Sequence, residues 1–117
     1  MESHPLHEIN ELNFDAEVLG AEQPFLLEFG TRWCPPCRAL EPIVAAVAQE
    51  LRGKLQAGKV DGETSPALST RLQVRGFPTL IVFVGGKERA RAVGMMSRKR
   101  VLELVGVEDA HAVRRLT

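Results

Sequence analysis

Two cysteines, Cys34 and Cys37, stand two residues apart where an apolar run gives way to an amphipathic segment. With Cys34 as the cap of a helix, Pro35, Pro36 and Cys37 become its first three residues. The Cys34 sulfur then faces the free amide of Cys37 and the positive end of the helix dipole. A thiolate is favoured there relative to an ordinary cysteine, whose pKa is about 8.5, and Cys37 lies one turn away, within reach of a 34–37 disulfide. Such a pair is a reversible dithiol switch. Two other uses of the pair stand beside it. Half of a four-ligand zinc site would need His4, His7 or His111, near the two chain ends, because the chain has no second CxxC. A pair of inert core thiols is the other, but it leaves two consecutive prolines at a helix start without a reason.

The elements that must hold this pair follow from the pattern of the chain. Leu6 to Ile9 is a short strand candidate, and Asn13 followed by Phe14 to Leu19 reads as a capped short helix stopped by Gly20. Phe25-Leu26-Leu27-Glu28-Phe29 is a nearly continuous apolar run, the mark of a strand buried on both faces. From Pro35 to Leu51 the apolar positions Leu40, Ile43, Val44, Val47 and Leu51 recur every three or four residues. They predict a helix that ends near Gly53 and is kinked by Pro42. Leu55 to Val60 reads as a strand, and Ser65 as the cap with Pro66 in the first turn starts a short helix using Leu68 and Leu72. Thr79 to Val84 is the clearest strand; Gly85-Gly86 makes a hairpin turn, and Lys87 to Val93 returns antiparallel as a more polar edge. Ser97 caps a last helix with Val101, Leu102 and Val105 turned inward and Gly106 at its end. The order βαβαβα followed by ββα predicts an α/β fold, a central mixed sheet flanked by helices on both faces.

At 117 residues, 44% of them apolar and 26% charged, the chain has the size and balance of a single domain, 1–117, with 1–5 and 114–117 expected to fray. A chain of this size buries a core without disulfide staples or a structural metal, so the cysteines call for a chemical explanation. Fifteen basic residues balance fifteen acidic ones, and the cluster Arg98-Lys99-Arg100 has no interleaved aromatics. Nucleic-acid binding is therefore not expected. The cluster reads as a solvated helix face, with partner docking the alternative. No apolar run approaches the roughly 20 residues of a membrane span, and residues 1–20 carry scattered charges where an export signal has an apolar stretch. The expectation is a cytoplasmic protein without a membrane segment.

Several segments carry a further signal in combination. They are Phe14-Asp15 to Leu19; Leu27-Glu28-Phe29 through Trp33-Cys34-Pro35-Pro36-Cys37; Pro42, eight residues after Cys34; Lys59-Val60-Asp61; Val74-Arg75-Gly76-Phe77-Pro78-Thr79-Leu80; and Val93-Gly94. Together they resemble the thioredoxin family over nearly the whole chain. The resemblance implies a thioredoxin fold and a protein disulfide reductase that cycles between dithiol and disulfide forms. It further implies disulfide-containing protein substrates, regeneration by an NADPH-dependent thioredoxin reductase, a part in electron transport and cell redox homeostasis, and no bound cofactor or metal. A specialised thiol oxidant or isomerase is the alternative within enzymes; a binding or adaptor module with incidental cysteines is the alternative outside them.

Residue by residue, Cys34 resembles the family's attacking nucleophile and Cys37 its resolving thiol. Pro78 matches the family's cis-proline, with a trans strand-entry proline as the alternative. By the same resemblance Trp33, Gly76, Phe77, Pro78 and Gly94 lie on the substrate side, where the peptide units around Phe77 receive an extended segment of the target. A purely structural core role is the alternative for Trp33. Glu28 resembles the buried acid beneath the cysteines, one methylene longer than the usual Asp, and Lys59 resembles the lysine that faces it. A carboxyl inside an apolar strand is expected to have a raised pKa and to accept the proton of Cys37; reaching solvent, or merely pairing with Lys59, is the alternative. Gly30-Thr31-Arg32 departs from the family's usual rim and adds a positive charge, and Pro35 replaces the common Gly.

Overall fold

A computed structural model describes residues 6–106. His4, His111 and the two ends expected to fray lie outside the described residues. Strand β2 (Phe25–Gly30) occupies the centre of a five-stranded sheet, as its nearly unbroken apolar run requires, with Phe25, Leu26, Leu27 and Phe29 fully buried. The sheet order is β1 (Leu6–Glu8), β3 (Gln56–Asp61), β2, β4 (Thr79–Val84) and β5 (Lys87–Val93). β3 runs parallel to β1 and β2, whereas β4 is antiparallel to β2 and β5, which makes the mixed sheet that the element order predicts. The polar β5 lies at an edge.

Alternation along the strands supplies two cores. On one face α1 (Pro35–Glu50) and α3 (Arg98–Val105) set Leu40, Val44, Val47, Val101, Leu104 and Val105 against Leu26, Ala57, Leu80 and Val82. On the other, a π-helical turn (Asp15–Leu19) and α2 (Pro66–Arg71) set Phe14, Val18 and Leu68 against Phe25, Leu27, Phe29, Val60, Ile81 and Phe83. Two residues on from Leu26, Glu28 belongs to the α1 face.

The ends of the helices depart from expectation in instructive places. Asn13 does not cap the first helical turn; its side chain accepts from the Asn10 amide and donates to the Glu8 carbonyl, closing a turn before it. Ser65 occupies the cap position of α2 without a side-chain capping bond, and Glu11 instead accepts from the Ala67 amide at 2.8 Å. A carboxylate from another segment thus satisfies one of the free amides that open the helix. In α3 the fully inward residues are Val101, Leu104 and Val105, with Leu102 only half-buried. Ser97 caps it as predicted, accepting from the Arg100 amide, and Gly106 closes it at a φ of 79°. α1 continues through Pro42. Among the described residues no helix is long and apolar enough to cross a membrane.

Register decides what meets at the business end of the sheet. Phe29 at the end of β2 faces Thr79 at the start of β4, Thr79 faces Val93 at the end of β5, and Gly30 faces Asp61 at the end of β3. The segments 30–37, 61–64, 76–78 and 93–94, distant in sequence, are delivered to one rim.

Candidate active site

Cys34 and Cys37 are joined by a disulfide across a Cα separation of 5.2 Å, within the ordinary range. Cys34 has extended backbone angles and caps α1, its sulfur accepting from the Cys37 amide at 3.2 Å. This is the donor expected once Pro36 has removed the amide before it. Burial separates the two sulfurs: Cys37 is only 4% exposed, whereas Cys34 is half-buried at the surface. Gly30 makes room for the pair, because a Cβ there would lie 2.9 Å from the Cys37 Cβ and 3.1 Å from its Sγ.

The loop before β4 closes on the disulfide from one side. The Phe77–Pro78 peptide bond is cis, and the Phe77 carbonyl oxygen lies 3.9 Å from the Cys34 sulfur. A disulfide sulfur carries no proton, so this is a contact rather than a hydrogen bond in the oxidised form. The Pro78 carbonyl accepts from the Gly94 amide at 2.8 Å, and the Gly76 carbonyl accepts from the Thr79 hydroxyl at 2.7 Å. Gly76, Phe77, Pro78 and Gly94 are thereby brought together beside Cys34. Trp33 is 72% exposed, which removes the core role as an account of it, and the Arg32 guanidinium lies 5.5 Å from the centre of its ring. Gly62, which no motif singles out, sits beneath the Phe77 ring; any Cβ there would strike the ring.

On the far side of the pair an open cleft of about 830 Å³ reaches Cys37 from behind, lined among others by Glu28, Glu41 and Lys59. Glu28 is 3% exposed, and its Oε1 has no hydrogen-bond partner. Its Oε2 lies 3.9 Å from the Cβ position of Gly30, so this carboxyl and the Cys37 sulfur flank the same glycine. Desolvation pushes the Glu28 pKa up to about 7, the charge of Glu41 pushes in the same direction, and Lys59 opposes them.

Lys59 stands beside Glu28 and bonds elsewhere. It lies beside Glu28 in the register of β2 and β3, but its ammonium donates to Glu41 Oε2 at 2.8 Å. That bond is the main reason its own pKa is raised. The pairing follows from solvation: the two partners are each about one-third exposed, so joining them costs less than ionising a carboxyl inside the sheet. Glu41 was not apparent as a site residue, although its spacing of four from Cys37 puts the two on one helix face.

The family model described as thioredoxin matches residues 5–106. A thioredoxin M5 of chloroplasts from Oryza sativa subsp. japonica is 33% identical over 96 residues, 82% of this chain and 56% of the relative. A bifunctional thioredoxin reductase/thioredoxin of Mycobacterium leprae is 35% identical over 95 residues, 81% of this chain and 21% of the relative. Thioredoxin 1 of a Nostoc strain is 33% identical over 91 residues, 78% of this chain and 85% of the relative. The chain thus spans about half the length of its chloroplast relative and a fifth of the bifunctional one, but most of the Nostoc protein.

Proposed function

The chain belongs to the thioredoxin family, and from that premise we propose that it is a protein thiol-disulfide oxidoreductase working chiefly as a general disulfide reductase. The observation that carries this reading is the disulfide at the N-terminus of α1, with the outer sulfur held by the Cys37 amide and the inner one buried. In the reduced protein the same amide and the helix dipole favour a Cys34 thiolate. That thiolate attacks one sulfur of a target disulfide, forming a Cys34–target bond and releasing the other target sulfur as a thiolate. Cys37 gives its proton to Glu28, directly or over one water, and attacks the Cys34 sulfur. The 34–37 disulfide forms, the second target sulfur leaves as a thiolate, and two electrons have passed to the target.

In this proposal Trp33, Gly76, Phe77, Pro78 and Gly94 form the face that receives an extended target segment beside Cys34. Lys59 acts on the proton step through its charge rather than as a partner of Glu28. The whole chain, 1–117, acts as one domain, and an NADPH-dependent thioredoxin reductase restores the dithiol; the reductase part of the bifunctional Mycobacterium leprae relative supports that electron source. We assign the activity to the cytoplasm, where reducing systems keep such dithiols charged.

The asymmetry of the pair is testable. Cys34→Ser abolishes disulfide reduction, whereas Cys37→Ser accumulates a mixed disulfide with the target. Iodoacetamide labels Cys34 before Cys37 in the reduced protein at neutral pH, as peptide mapping will read. Faster labelling of Cys37 would reverse the two roles.

A further inference from the structure

Resting on the reading of Glu28 as proton acceptor, we propose that Glu41 is a positioning residue for the proton step: by holding the Lys59 ammonium, it keeps that cation from pairing with Glu28 and so sets the pH at which Glu28 ionises. The geometry carries this. Glu28 and Lys59 are register neighbours on adjacent parallel strands, so both side chains leave the same face of the sheet and an opposite charge stands beside the buried carboxyl. Here the ammonium is bound to Glu41, while Glu28 Oε1 is buried without a partner. α1 suspends Glu41 over the same cleft, one turn beyond Cys37.

The other charged groups around the cleft are engaged or turned elsewhere. Arg32, from the loop after β2, lies over the Trp33 ring, and Arg38, on α1, donates to the Arg32 carbonyl. Asp61, at the end of β3, accepts from the Glu63 amide. Glu8, on β1, acts on Lys59 by its charge, reinforcing the cationic form. From β4 the register partner of Glu28 is the apolar Leu80, and from α1 the remaining titratable neighbour is Cys37, held in the disulfide. Glu41 and Lys59 are therefore the pair through which the ionisation of Glu28 is adjusted, and the opposed directions in which their charges push Glu28 agree with that.

Carboxyl carbon NMR titration of the oxidised chain, residues 1–117, tests the proposal, with Glu28→Gln assigning the Glu28 signal. Glu41→Gln removes a like charge and frees the ammonium, so the Glu28 midpoint falls by about one pH unit. Glu41→Asp, which keeps the charge, retains most of the parent value. In a Lys59→Met background the effect of Glu41→Gln shrinks to less than half, because the cation it would release is gone. An unchanged midpoint in Glu41→Gln overturns the proposal, and so does a full-sized shift that persists without Lys59. Resolution of a preformed Cys34 mixed disulfide, followed against pH, is the second readout. Its acid limb moves down with the midpoint, because the ionised carboxylate is the acceptor. A profile that ignores a shifted Glu28 midpoint overturns instead the role of Glu28 as acceptor.

Discussion

Glu28 shows how one side chain links folding to chemistry. A carboxyl that is 3% exposed and lacks a partner at Oε1 resists ionisation, and its pKa is pushed up to about 7. The native state therefore binds this proton more tightly than the unfolded chain, whose value stands near 4.5. The contribution to stability is complete below about pH 4.5 and is lost as pH rises through about 7. A shift of this size corresponds to a loss on the order of 3 kcal/mol at alkaline pH. Glu28→Gln deletes the titration while keeping the shape, so it gains on the parent protein by up to that amount at pH 8.5 and little at pH 4.5. Urea melts of the oxidised proteins across this range check the prediction, and parallel stability curves for parent and variant would contradict it. The sequence exposed Glu28 because an acid inside an apolar strand is conspicuous. It hid Glu41, one of two acids on a half-exposed helix, because only the three-dimensional cleft distinguishes it.

At the scale of the element, the start of α1 is where local sequence does the most. Pro35 and Pro36 have no backbone N–H to donate, so the Cys37 amide supplies the bond to Cys34, and that bond is present at 3.2 Å. Pro35→Gly restores an amide at the first helical position, which does not point at the cap side chain. The Cys34 thiol pKa accordingly moves by less than about one unit, while the reduced protein loses on the order of 1 kcal/mol because glycine loosens the unfolded chain. Thiolate absorbance in a pH titration, run beside urea melts of reduced protein, measures both; a drop in pKa well beyond one unit would contradict the cap geometry. The same local logic made the strands and helices legible, because apolar periodicity and capping residues act within a turn or two. It failed at Asn13, whose side chain is taken by Asn10 and Glu8, and at Ser65, whose capping role Glu11 fills from more than 50 residues away. Lys59 does lie beside Glu28, but its bond to Glu41 was hidden, because that partner comes from a helix 18 residues away in sequence.

The molecule as a whole contributes register. A mixed sheet in which β2 meets β3 in parallel and β4 in antiparallel puts the end of one strand beside the start of another, so Cys34, Phe77 and Gly94 share one rim though they span 60 residues of sequence. The two cores on either face hold that register, since slipping a strand by one residue would turn Glu28 and its neighbours to the opposite face. The result is an exposed Trp33 on one side of the disulfide and, on the other, a cleft lined by the buried Glu28 carboxyl. On the proposed function, this assembly transfers electrons to protein disulfides through Cys34. The most direct measurement is the rate of insulin disulfide reduction with dithiothreitol as electron source, comparing the parent chain with Cys34→Ser. The parent is expected to accelerate the reaction well above dithiothreitol alone, and Cys34→Ser to return it to that background; a parent chain that gives no acceleration, or a Cys34→Ser variant that matches it, would rule out reduction through Cys34.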